Sequence, residues 1–307
     1  MSPTFLHNLL KPDNIAALLL LPIFLGVFLW WWRQAARNDA RIESGGLEAL
    51  ADTMRGPVPP AQRALGFDDR ERVHTWPYLL RVELVVSLAC MTILTVWSIC
   101  IDAPLEQEAD PNRTPNPSKA PWYFVGLQEM LVYFDPWIAG VVLPLLIIVG
   151  LAAIPYLDPN PEGSGYYCWK SRRIALSLFW LGFALWLVLI VVGTFFRGPG
   201  WNWFWPWETW DPHRHGIGAR RDWVDLFGMT DPWLRFIGGG LTILSYYALG
   251  GLLWWRLRKT PEGRAMGRGR FFVAAFLALT MGGLVLKMML RLGLGVQYVW
   301  VTPWFSL

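Results

Sequence analysis

An all-α, polytopic membrane protein with about six transmembrane helices is the architecture this sequence predicts, and three observations carry it. Hydrophobic residues make up 54% of the 307 and charged ones only 16%, well below the ~25% of soluble domains. The apolar residues gather in six long runs, each near the ~20 residues that a helix needs to cross the hydrocarbon core. Twenty-one tryptophans suit aromatic belts at the lipid–water boundary. The net charge of +4 is modest, and nucleic acid is excluded as a partner.

The first span is Ile15 to Trp32. No basic stretch precedes it and it ends in W-W-W-R, so it reads as a retained span rather than a cleaved leader. Arg33 to Trp76 mixes both charge signs with Gly and Pro and reads as a surface connection. The second span is Leu84 to Ile101, entered through Arg81 and Glu83. After it, prolines 111, 115, 117 and 121 forbid a regular helix, since each lacks the amide donor and constrains its predecessor. From Trp122 a short apolar helix runs to about Phe134, roughly 20 Å, too short to cross a bilayer. It predicts a surface helix walling a pocket. Ile138 to Ile154 is the third span, stopping at Pro155, and Ile174 to Phe196 the fourth. A long loop rich in Trp, Pro and Gly leads to the fifth, Phe236 to Trp255. The sixth, Phe271 to about Leu290, ends the set.

Lys and Arg crowd the membrane ends of the loops after spans one, three and five: Arg33, Arg37 and Arg41; Lys170, Arg172 and Arg173; Arg256 to Arg270. The positive-inside bias puts those loops in the cytoplasm. Both termini and the proline-rich loop are then expected outside. Cys90, Cys100 and Cys168 show no C-x-x-C-H spacing, which excludes covalent haem c attachment. Cys90 and Cys100 lie in an apolar span and read as buried, inert thiols. The run Trp201 to His213, W-N-W-F-W-P-W-E-T-W-D-P-H, reads either as a belt lying flat on the membrane or as a docking surface for a partner. Asp211, His213 and His215 are a weak metal set, and no metal site is expected.

The stretch Asp110 to Phe134 carries a family resemblance. Pro111, Thr114, Pro115, Lys119, Trp122 and Tyr123 match the loop and helix around the P-E-W-Y motif of cytochrome b, from the quinol–cytochrome c oxidoreductases. The motif proline and glutamate fall on Ala120 and Pro121, so the glutamate is missing. The form K-A-P-W-Y-F-x-G-L-Q-E is similar to menaquinol-type bacterial complexes with a split cytochrome b, in the C-terminal half. The resemblance covers about His74 to Phe196. It divides the chain into an N-terminal helix and cytoplasmic linker (1–73), a cytochrome b C-terminal-like domain (74–196), and a Trp-rich periplasmic loop with two further helices (197–307).

What the resemblance implies is a haem-free subunit of a respiratory quinol:cytochrome c oxidoreductase in a bacterial inner membrane. The family's haem b ligands belong to four helices that this chain lacks. Its histidines, His7, His74, His213 and His215, all fall outside the spans. No haem ligand is therefore expected here, and haems b belong to a separate four-helix cytochrome b subunit. A Rieske-type iron–sulfur protein and a c-type cytochrome complete the expected partners, in a dimeric complex within the lipid bilayer. Pro121, Trp122 and Tyr123 would wall the quinol slot.

With the motif glutamate absent, Glu129, two turns beyond Trp122, is the candidate proton acceptor. The alternative is that Gln128 and Glu129 only anchor the helix. Glu129→Gln reads from sequence as near-isosteric and neutral for assembly. His74, Arg81 and Glu83 form a candidate inner quinone site, Glu83 falling on a family acidic position, although an Arg–Glu pair anchoring the helix end explains the residues as well. Two rival readings stay open: a transporter using Arg81, Glu83 and Glu129, and a structural scaffold without quinone chemistry.

Overall fold

The computed structural model describes residues 1–54, 75–101, 108, 110, 115–159, 166–214 and 221–307. It divides into two units, Met1–Trp32 with Asp110–Leu307, and Arg33–Ala109. The described residues are helical almost throughout, with isolated β-bridges in place of strands.

In chain order, α1 is Pro3–Leu10 and α2 Pro12–Met54. A wide helical turn, Thr75–Leu79, leads into α3, Leu80–Cys100. The short helix α4 is Trp122–Met130. A turn at Ile138–Val142 opens α5, Leu143–Leu157, and α6 is Arg173–Val191, prolonged by a wide turn to Phe196. Then come α7, Pro232–Trp255, the small α8, Pro261–Ala265, and α9, Arg268–Leu294. Among the described residues, six segments are long and apolar enough to cross a membrane: Asn14–Gly45, Thr75–Cys100, Ile138–Leu157, Arg173–Phe196, Pro232–Lys259 and Arg268–Leu294. These are the six spans expected.

Several boundaries differ from expectation, each for a physical reason. Residues 33–54 are helix, not an irregular connection. Arg, Gln, Ala and Glu are good helix formers, and the mixed charges that read as a loop continue α2. The third span passes through Pro155 to Leu157. Proline falls in the last turn, where little helix remains to disrupt, and Asp158 N still donates to the Ile154 carbonyl at 3.0 Å. The short helix stops at Met130 rather than near Phe134. Pro136 restricts Asp135, whose carboxylate accepts from Trp137 N at 2.9 Å and starts the third span instead. Cys90 and Cys100 are exposed, not buried, because no side chain of α3 is covered within its unit.

Within the larger unit, the two ends of the bundle are distinct. At one end Ser2 N donates to the Pro206 carbonyl at 2.8 Å and Asp135 N to Ser306 at 3.4 Å. The amino terminus, α4, the Trp-rich loop and the carboxyl terminus therefore share that end. At the other, the Glu262 carboxylate caps α6 by accepting from Arg173 N at 3.2 Å and Ile174 N at 3.1 Å, a favourable place for an anion. Trp31 and Trp32, at the end of the first span's apolar run, pack on Trp169 in the loop before α6. The loops following spans three and five thus lie at the end opposite the termini.

Candidate functional site

Helix α4 rests on the end of α6 because two glycines let the backbones approach. A Cβ on Gly126 would stand 3.2 Å from Ile190 Cγ1, and one on Gly193 would stand 3.1 Å from the Val125 carbonyl oxygen. Pro121 precedes the helix as its cap, and its carbonyl accepts from Phe124 N at 2.8 Å and Val125 N at 3.0 Å. Val125 and Ile190 then join Phe5, Ala17 and Phe195 in one buried cluster, with Trp122 and Trp201 packed against it. Met130, Tyr133 and Phe134 join Ile138, Leu189 and Met288 in a second. The short helix is thereby held on two sides.

This seating turns Glu129 inward, where it is fully buried. A charge so placed needs a partner and hydrogen bonds, or its desolvation goes uncompensated. Arg197, 4% exposed, supplies both. Its Nε donates to Glu129 Oε1 at 3.1 Å and Oε2 at 2.9 Å, and its Nη2 donates to Oε1 at 2.6 Å. Tyr133 Oη donates to Oε1 at 2.7 Å, and Trp201 Nε1 donates to Oε2 at 3.0 Å. The roughly four acceptor directions of a carboxylate are filled.

Burial pulls the Arg197 guanidinium down, but the hydrogen bonds and charge of Glu129 outweigh it and hold it above its usual value. Burial, reinforced by the Glu129 charge, pushes the Tyr133 hydroxyl well up. Arg197 is a permanent cation here, and Tyr133 a permanent donor. Trp201 adopts a left-handed backbone, φ 57°, a conformation that costs a bulky residue about 1–2 kcal/mol. Its indole bond to Glu129 and the Arg197 Nη1 bond to its carbonyl, at 3.3 Å, hold it there.

The loop before α4 is fastened to the same body. Gln128 Nε2 donates to the Ser118 carbonyl at 2.9 Å and its Oε1 accepts from Ala120 N at 2.8 Å. Asn116 Oδ1 accepts from Gly200 N at 2.7 Å. Lys119 Nζ donates to the Thr194 carbonyl at 2.7 Å and lies over the Trp210 ring, 5.2 Å from its centre. Asn8 of α1 donates to that same carbonyl at 2.9 Å. Burial lowers the Lys119 ammonium to about 7, opposed by Glu129 and assisted by Lys11 and Arg197.

Of the residues singled out from sequence, Pro121, Trp122, Tyr123 and Glu129 thus fall on one element. Trp122 is half-buried and Tyr123 47% exposed, their rings edge to face at 5.5 Å. Arg81 and Glu83 lie on α3, in the other unit, and both are exposed. Two residues apart on a helix, they do not face each other, and no ion pair joins them among the described residues. His74 lies outside the described residues, as do His215, Pro111 and Thr114. His213 is exposed, and among the described residues no three His, Cys, Asp or Glu side chains gather as a metal site.

The Trp-rich run is not uniformly flat. Trp201 and Phe204 turn inward, while Trp205 and Trp207 stack in parallel at 5.3 Å and face out.

Sequence reasoning missed Arg197, Tyr133 and Trp201 as partners of Glu129. Tyr133 was within reach, since i and i+4 are neighbours on a helix. Arg197 lies 68 positions away along the chain and resembles any basic residue closing a span.

Comparison with known proteins adds the family. Residues 108–204 match the family described as cytochrome b (C-terminal)/b6/petD. A menaquinol:cytochrome c reductase cytochrome c subunit from Geobacillus thermodenitrificans is 32% identical over 92 residues, 28% of this chain and 37% of that protein. The chain thus spans little more than a third of that relative's length. No solved structure matches. The matched segment contains α4, α5, α6 and the whole Glu129–Arg197–Trp201 cluster, and over this stretch the chain is similar to the cytochrome b C-terminal/b6/petD family.

Proposed function

We propose that the chain is a haem-free subunit of a quinol:cytochrome c oxidoreductase, completing a quinol-oxidation site on the outer side of a bacterial inner membrane. One observation carries this reading: the family match ends at residue 204, so it takes in both halves of the clamp that locks the P-W-Y-F helix in place. Menaquinol is the proposed substrate, in line with the name of the relative. The haems b, a Rieske-type cluster and a c-type haem belong to partner subunits in a dimeric complex. Electrons leave through the iron–sulfur protein to the cytochrome, and protons are released outside, which couples turnover to proton translocation. The chain has no activity alone.

In this reading Pro121 fixes the helix start, and Trp122 and Tyr123 wall the quinol slot. Glu129 holds that wall by gripping Arg197 and Trp201. With its acceptor directions filled, it takes a quinol proton only when the Arg197 clamp opens. Arg81 and Glu83, with His74, serve the inner quinone site, where protons are taken up.

The test is isolation of the tagged chain from its native membrane. Haem b, an iron–sulfur protein and a c-type cytochrome are expected to accompany it, with quinol–cytochrome c reductase activity. Trp122→Ala should raise the KM for quinol. A chain that isolates alone, or with transport activity, overturns the proposal. A complete complex whose turnover ignores Trp122→Ala leaves the chain a scaffold.

A further inference from the structure

A groove of about 350 Å³ lies between α5, α6 and α9. It begins under α4, at Gly126 and Met130, and follows α6 from Leu189 to Ile174, reaching Met266 near the opposite end of the bundle. Every side chain lining it is apolar apart from the indole N–H of Trp186. No headgroup or quinone ring finds a polar partner along its walls. Such walls suit a hydrocarbon chain whose polar end lies outside the groove.

Dimensions narrow the choice. At ~1.5 Å per residue the α6 wall from Ile174 to Leu189 is roughly 22 Å long, whereas half of a ~30 Å hydrocarbon core is about 15 Å. An acyl chain anchored in one leaflet fills only part of that length. A helix of a partner, ~10 Å across, is too thick for a volume at the small end of the ~300–1,000 Å³ of ordinary ligand sites. A polyisoprenoid chain is long enough and thin enough, and it crosses the midplane. Met130, Met266 and Met281, on three different parts of the lining, offer flexible side chains that adapt to a branched chain. The third wall, α9, and Met266 lie beyond the segment matched by the family.

We propose that this groove seats the polyisoprenoid tail of a membrane quinone, entering beneath α4 and running along α6 toward Ile174. The proposal rests on the quinol-oxidising reading for which quinone enters, and the test separates the two. Gly150 lines the groove midway, and a Cβ there would meet Leu277 at 3.5 Å, an ordinary contact, so Gly150→Phe fills the groove while keeping its walls. Ala175→Phe, on the α6 wall, is a second obstruction.

In the purified complex, Gly150→Phe should raise the KM for a long-tailed menaquinol roughly tenfold, as for the loss of a few buried methylenes. It should leave the KM for a tail-less quinol analogue unchanged. Equal effects on both quinols, or on neither, in both variants overturn the tail seat without touching the reductase reading. If wild type oxidises neither quinol, the reductase reading fails, and the groove is judged by solvent extraction and mass spectrometry of the purified protein. One quinone per chain, lost in Gly150→Phe and Ala175→Phe, upholds the seat. Phospholipid alone, or no bound lipid, overturns it.

Discussion

Glu129 and Arg197 stabilise the site as a pair and endanger it singly. Removing one partner of a buried, hydrogen-bonded ion pair costs about 3–5 kcal/mol, because the other charge stays desolvated. Glu129→Gln, near-isosteric and harmless by sequence, is therefore expected to lower the thermal midpoint of the assembled complex, and Arg197→Met to do the same. The double variant Glu129→Gln/Arg197→Met should recover most of the loss, a coupling that a double-mutant cycle measures. Additive losses would mean that the two side chains do not act as a unit.

Lys119 makes a prediction of opposite sign. Its folded value of about 7 lies below the ordinary 10.5, so between those values the unfolded chain binds more protons than the folded one. Stability attributable to Lys119 then rises as pH rises through that window, and the penalty is complete below about 7. Thermal midpoints measured from pH 7 to pH 10 should climb in wild type and flatten in Lys119→Met. An unchanged climb in the variant assigns it to other groups.

Among the elements, α4 depends on close approach more than on its own helix propensity. With nine residues it is too short to persist alone, since isolated helices below ~12–15 residues are marginal. Its seat is the Gly126–Ile190 and Gly193–Val125 contact. Gly126→Val should push it away from α6, at the ~1–3 kcal/mol typical of overpacking, and lower the retained activity of the complex with its thermal midpoint. Gly26→Ala on α2, where a Cβ meets nothing within 4 Å, is the control expected to change neither. The existence of α4 was legible, because the prolines stop at 121 and an apolar run follows. Its end was not: the break at Met130 depends on Asp135 starting the next span, and on Tyr133 being drawn to Glu129.

For the whole molecule, the two ends of the bundle give a topology prediction. A reporter after Lys259 should read cytoplasmic, while reporters at Thr114 and at the carboxyl terminus read periplasmic. A reporter at the carboxyl terminus should agree with one at Pro115, since the carboxyl-terminal residues meet Asp135 beside α4, the helix that residues 115–121 enter. Disagreement between them breaks the fold; a joint reversal overturns only the orientation. The isolated chain should also show no reduced-minus-oxidised haem b band, because none of its four histidines falls within an apolar run of the sequence.

The sequence by itself determined the number of spans and the proline-delimited helix with its motif residues. These follow from local quantities: runs of apolar residues against the thickness of a bilayer, and the missing amide of proline. Only the tertiary structure decided what Glu129 does. A carboxylate reads the same in sequence whether it faces a quinol, solvent or a guanidinium. The difference lies in Arg197 and Trp201, which hydrogen-bond to it across two membrane spans of intervening chain. Which polar groups meet is set by helix packing, and no periodicity or spacing encodes that directly.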